Sequence, residues 1–166
     1  MKLATTTGDY GKYDNTQVVA LEHIKKAGFK YADYNFGKDY AHKNGVYSED
    51  YKKYIDEFPS EVERIGIKLV QAHAPMGKPL ADADGVFLQD TLRCVEACGK
   101  WGIPNLVVHS GYLPNISREE NFELNKKFFM ALLERAEEYG VNILVENFNK
   151  MYKEGVYWVD NATDLL

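Results

Sequence analysis

The chain has 166 residues, 45% of them apolar and 27% charged, with a net charge of −5. That length can bury a core, so residues 1–166 are expected to form one domain; the acidic balance argues against a general nucleic-acid or anionic-membrane binder, which carries a basic face. No apolar run approaches a membrane helix, the N-terminal "MKLATTTGDYG" has no apolar signal-peptide core, and Cys94 and Cys98 imply no disulfide framework, so a reducing, cytoplasmic setting is expected.

The chain opens on a strand, "KLATT". A first helix follows Asn15 or Thr16, with Val18, Val19 and Ile24 on its apolar side. A second starts near Ser48 and is expected to break or restart at Pro59, because proline disfavours a helix interior. The third carries Val86, Leu88, Leu92, Val95 and Cys98 at helical spacing, with the two cysteines as small core residues. The fourth opens on "SREE", Ser117 to Glu120, a capping-box pattern, and presents Leu124, Phe128, Leu132 and Leu133. In the tail, "VDNATDLL" reads as a helix start with Asp160 or Asn161 as its cap.

Between these helices a rhythm emerges. Four times a helical pattern ends in glycine and a strand follows: "KKAGFKYADYNFG", "ERIGIKLVQAHAP", "GKWGIPNLVVHSG" and "EEYGVNILVENF". The glycines, Gly28, Gly66, Gly102 and Gly140, stand 38, 36 and 38 residues apart. Glycine suits the left-handed residue that closes a helix, and a regular period points to stacked βα units. Strands alternating with helices make a parallel sheet, whose functional groups gather at the carboxyl ends of the strands.

Seven residues past the glycines stand Asn35, His73, His109 and Asn147, two of them histidines at matching strand tips. Glu146 falls six past its glycine, so it shares their face only if the fifth strand is offset or bulged. A carboxylate at the end of a buried strand needs a partner. Imidazole and carboxylate together suit zinc, manganese or another divalent transition ion; the alternative is an ion pair from Glu146 to a lysine or arginine. The six tyrosines from Tyr31 to Tyr54 are expected to pack a long loop and helix against the sheet, with stacking on a sugar as the other reading. Trp101 ends a helix as a core residue, and Trp158, after the fifth strand, is placed to wall a pocket.

"VQAHAPMG", "LVVHSGY" and "ILVENF", in this order and spacing, resemble strands three, four and five of the xylose-isomerase-like TIM barrels. That superfamily holds sugar(-phosphate) isomerases and epimerases, inosose dehydratases and the endonuclease IV group. The resemblance runs from the "LATTTG" strand onward and implies an α/β fold of parallel (βα) units, the N-terminal five strands of a TIM barrel in the order 1-2-3-4-5. It implies that Glu146 binds a divalent metal (Mn, Zn, Co or Mg) and acts as the base. His73 and His109 match metal ligands of the endonuclease branch, and in the isomerase branch they border the substrate. Substrate contacts are then expected from Asn35, His73, His109, Asn147 and Trp158. The endonuclease pattern expects "HPG" at strand four, whereas this chain has His109-Ser110-Gly111, a departure that favours sugar chemistry.

Eight units at this period would need about 300 residues, and closed barrels typically run to roughly 250. The family's later ligands, a strand-six aspartate, a strand-seven histidine and a strand-eight glutamate, have no counterpart in the sequence. Five units leave open sheet edges, so the isolated chain is expected to be homo-oligomeric, unstable or inactive. The leading expectation for the parent protein is a metal-dependent isomerase or epimerase of a small sugar or sugar phosphate, working by proton abstraction beside a carbonyl. Two rivals stand beside it: an endonuclease IV-like metal-dependent phosphodiesterase, and a flavodoxin-like nucleotide- or partner-binding module with strand order 2-1-3-4-5.

Overall fold

A computed structural model of the chain describes residues 2–10, 13, 16–147 and 163. Strands β1 (Ala4–Thr6), β2 (Tyr31–Asn35), β3 (Lys68–His73), β4 (Asn105–His109) and β5 (Asn142–Glu146) pair in parallel in one sheet, ordered β1-β2-β3-β4-β5. Helices α1 (Gln17–Lys26), α2 (Phe36–His42), α3 (Tyr51–Ile65), α4 (Val86–Lys100) and α5 (Arg118–Tyr139) fill the crossovers. This sequential order is that of a partial TIM barrel and excludes the flavodoxin-like 2-1-3-4-5 sheet.

Each helix-closing glycine of the sequence rhythm is left-handed, with φ of 96°, 70°, 67° and 66° at Gly28, Gly66, Gly102 and Gly140. An added Cβ would meet only the tip of Lys25 at Gly66 and nothing within 4 Å at the other three, so conformation rather than crowding selects glycine. At the helix starts, Thr16 accepts from the Val19 amide at 3.3 Å and Ser117 forms the expected capping box with Glu120. Asp82 accepts from the amides of Phe87 and Leu88 at 3.0 and 2.8 Å, and so caps α4 from the preceding loop.

Pro59 does not break its helix, as the sequence suggested; α3 runs on through it. Proline at that position withdraws the N–H that would bond the Ile55 carbonyl one turn back. That carbonyl instead accepts the indole N–H of Trp101 at 2.9 Å. A buried acceptor is thus satisfied from a neighbouring helix, and the helix survives its proline. Trp101 also packs on Phe58, Tyr34 and Phe36, with ring centroids 4.5, 5.1 and 5.8 Å away. Tyr34 and Tyr54 share a hydroxyl contact of 3.0 Å, and the Tyr34 hydroxyl donates to the buried Asp39 carboxylate at 2.5 Å. Most of the tyrosines of this segment therefore pack the region between β2 and α4, as the packing reading expected.

The helix faces differ from the sequence expectation in one respect. Small and polar residues hold positions assigned to large apolar ones. On α1 the buried set is Gln17, Ala20, Leu21 and Ile24 rather than Val18 and Val19. On α4, Val95 and Cys98 are buried as expected, joined by Phe87, Asp90, Thr91, Cys94 and Ala97, whereas Val86 is exposed. On α5, Phe128 and Leu132 are buried, but Asn121 and Asn125 occupy the stripe in place of Leu124 and Leu133.

The sheet has two unlike faces. Side chains alternate across a strand, and the register places Thr6, Asp33, Gln71, His73, Val107, His109 and Glu146 on one face. Tyr34, Ala72, Leu106, Val108 and Ile143 alternate to the other face and join the apolar core under the helices.

Candidate functional site

The polar face ends in a cluster at the carboxyl tips of β2 to β5. His109 and Glu146 are direct register partners across β4 and β5. The phase difference seen in the glycine count arises before the strands. Pro104 adds a residue between Gly102 and β4, so Asn105 lies opposite Asn142 although it stands three residues past its glycine and Asn142 only two. The Asn142 amide donates to the Pro104 carbonyl at 2.8 Å and fixes that offset. Glu146 therefore takes the position that counting from Gly140 assigned to Asn147, which lies one residue beyond β5 and is exposed.

Glu146 Oε2 lies 3.7 Å from His73 Nε2 and 3.6 Å from His109 Nδ1. The two imidazole centroids are 6.5 Å apart. The carboxylate thus faces both rings across gaps longer than a hydrogen bond. Among the described residues, the ionisable groups within 4 Å of it are these two histidines, not a lysine or arginine.

Two residues that the sequence reading passed over complete the cluster. Both carboxylate oxygens of Asp33 lie against His73 Nδ1, at 3.0 and 2.9 Å. Gln71 donates its side-chain N–H to Asp33 Oδ2 at 2.8 Å. The signal was present in "ADYN": Asp33 stands two residues before Asn35, hence on the same strand face.

Asn35 sits opposite His73 in the register, but it is built into the frame. Its amide donates to Thr7 Oγ1 at 2.9 Å and its carbonyl accepts from Gln17 at 2.9 Å. Its side chain lies where a Cβ on Gly8 or Gly37 would intrude, within 2.8 and 2.9 Å. Gly8, the first glycine of "TTTGDYG", therefore makes room for Asn35. Trp158 lies outside the described residues, as do Asp160 and Asn161.

The loop after β4 is clamped by the asparagines of α5. Asn125 accepts from the Gly111 amide at 2.8 Å and donates to the Gly111 carbonyl at 2.9 Å. Asn121 treats Leu113 the same way, at 2.8 and 2.9 Å. Side-chain amides here satisfy loop backbone as a neighbouring strand would, which is why polar residues occupy the buried stripe of α5. Beside this loop a cleft of about 250 Å³ opens, lined by residues that include Lys78, Leu80, Gly111 and Leu113. Asn125→Ala is expected to cost about 1–3 kcal/mol, because it strands buried backbone groups. Faster hydrogen exchange at the Gly111 amide would show it, and unchanged protection would contradict it.

The two histidines are poised oppositely. The Asp33 hydrogen bond holds the His73 imidazole above its ordinary value, whereas burial, then the neighbouring His73, pushes His109 down to about 4. His109 folds neutral, so the unfolded chain takes up its proton first; its contribution is complete above the ordinary 6.5 and is lost as pH falls towards about 4. His73 has the opposite sign: its contribution is complete below 6.5 and is lost as pH rises through its raised value. A proton NMR titration is expected to resolve two ring transitions, His73 above 6.5 and His109 near 4. Coincident transitions would contradict the two environments.

The donor set of two imidazoles and one carboxylate suits a divalent transition ion. Bonds of about 2.0–2.2 Å to a shared ion would place neighbouring donors roughly 3–3.5 Å apart, slightly closer than the 3.6 and 3.7 Å observed. Among the described residues no group of three His, Cys, Asp or Glu side chains is placed to hold a metal ion as it stands; the donor types are those a divalent transition ion takes.

The family model for "Xylose isomerase-like TIM barrel" matches residues 21–166. The chain belongs to this family. No curated protein sequence matches it. Among solved structures, this xylose isomerase-like chain is similar to a D-tagatose 3-epimerase-like protein, with 20% identity and a TM-score of 0.70 over 94% of this chain and 55% of the other. It is similar to an AP endonuclease, family 2, from Brucella melitensis, with 15% identity and a TM-score of 0.69 over 95% and 59%. A 3-keto-D-glucoside 4-epimerase from E. coli gives 18% identity and a TM-score of 0.67 over 90% and 57%. At these identities the likeness establishes the fold, and the chain spans little more than half the length of these structures. Among the described residues no helix is long and apolar enough to cross a membrane.

Proposed function

We propose that the parent protein is a metal-dependent isomerase or epimerase of a small sugar or sugar phosphate, with Glu146 as its base. The observation that carries this reading is the Glu146 carboxylate set between His73 and His109 at the strand tips. His73, His109 and Glu146 would hold a divalent ion, which when bound supplies Lewis-acid polarisation of a substrate oxygen. Glu146, about half exposed, can turn one oxygen to the ion and present the other to a substrate C–H. Removal of the proton beside a carbonyl leaves an enediolate, and Glu146 carries that proton until it is returned. His109, neutral by burial, offers a nitrogen lone pair rather than a second positive charge. An acidic chain suits a small sugar better than a DNA duplex, which sets this reading above the phosphodiesterase one.

The test is solvent-deuterium exchange into ketoses by the full-length protein loaded with Mn²⁺. Exchange is expected in the unaltered protein, with a loss of about 10²–10⁴-fold in Glu146→Gln. Full exchange in that variant would remove Glu146 as the base, and cleavage of an abasic duplex without any exchange would replace the reading.

A further inference from the structure

We propose that Asp33 is a positioning residue that fixes the tautomer of His73 and thereby keeps its Nε2 lone pair open toward Glu146. This rests on the reading above, in which His73 is a ligand. Asp33 is buried on β2, directly opposite Gln71 in the register. A carboxylate is an acceptor only. With both of its oxygens on His73 Nδ1, at 3.0 and 2.9 Å, that nitrogen must carry the hydrogen. In the neutral ring Nε2 is then a bare acceptor, facing Glu146 Oε2 across 3.7 Å.

The other tautomer would place a hydrogen on Nε2 and let His73 bond Glu146 directly, closing the centre against an ion. In the neutral ring Asp33 disfavours that tautomer. The general logic is that of an outer carboxylate orienting an imidazole ligand.

Gln71 makes the substitution at Asp33 decisive. Its N–H already addresses Asp33 Oδ2 at 2.8 Å. An asparagine at 33 would turn its oxygen to Gln71 and its NH₂ to His73. Nδ1 would then become the acceptor and Nε2 would take the hydrogen.

The measurement is the ring ¹⁵N spectrum of His73 in the metal-free full-length protein, taken at a pH above its ring transition. It is paired with Co²⁺ titration followed by visible absorption. The unaltered protein is expected to show Nδ1–H. Asp33→Asn is expected to show Nε2–H and to bind Co²⁺ about 10–100-fold more weakly. A purely structural role for Asp33 would leave the tautomer unmoved. An Nε2–H spectrum in the unaltered protein overturns the proposal, as does Asp33→Asn that keeps both Nδ1–H and full affinity. If Asp33→Asn does not fold, the spectrum of the unaltered protein decides alone. An Nδ1–H spectrum without Co²⁺ binding supports the tautomer assignment and overturns the metal reading instead.

Discussion

Replacing Trp101 with alanine is expected to cost about 3–5 kcal/mol, and with phenylalanine about 1–3 kcal/mol. The two losses have different origins. Alanine empties the cluster of Phe58, Tyr34 and Phe36 around the indole. Phenylalanine keeps much of that packing but removes the N–H that bonds Ile55. The Ile55 carbonyl has no helical donor because residue 59 is proline.

It follows that the cost of Trp101→Phe depends on Pro59. In a Pro59→Ala background the helix regains its own donor to Ile55, and the cost is expected to fall by about 1 kcal/mol. A double-mutant cycle by urea unfolding measures this coupling. Costs that add with no interaction would contradict the proposed exchange of donors.

Pro59 also shows where the sequence is legible and where it is not. A proline nine residues into a helical pattern reads locally as a break. The donor that rescues it comes from Trp101, 42 residues further along the chain, and no local pattern carries that information. The glycine-strand rhythm is local, and it gave the parallel units and, with the three strand motifs, their sequential order. The helix faces were legible at Ile24, Val95, Cys98, Phe128 and Leu132, and departed from the pattern elsewhere for a related reason. Asn121 and Asn125 look like surface residues, but they are buried because they serve the backbone of the β4 loop. Burial there is set by a tertiary partner rather than by hydropathy.

At the tips Glu146 stands within 4 Å of both His73 and His109, although the glycine count put it out of step. Pro104 accounts for the step, since it lengthens one connection by a residue without disturbing the register of β4 on β5. Asn147 received the position that belongs to Glu146. Asp33 was missed because attention to the last residue of each strand overlooks the one two places earlier on the same face.

The second large effect concerns Glu146. It is the group that faces both imidazoles, at 3.7 and 3.6 Å. Its removal would leave two rings whose centroids are 6.5 Å apart, with no anionic donor between them. Loss of an orienting outer residue typically costs 10–100-fold in metal affinity, so loss of Glu146 is expected to cost on the order of a hundredfold or more. His109→Gln is expected to weaken binding in the same way while also abolishing this residue's share of the stability loss below 6.5.

Isothermal titration of the metal-free full-length protein with Mn²⁺, alongside Glu146→Gln and His109→Gln, tests the shared centre most directly. Saturable binding that drops at least a hundredfold in Glu146→Gln, and falls in His109→Gln as well, is the expected result. A protein that takes up no divalent ion, or one whose affinity survives both substitutions unchanged, would contradict it.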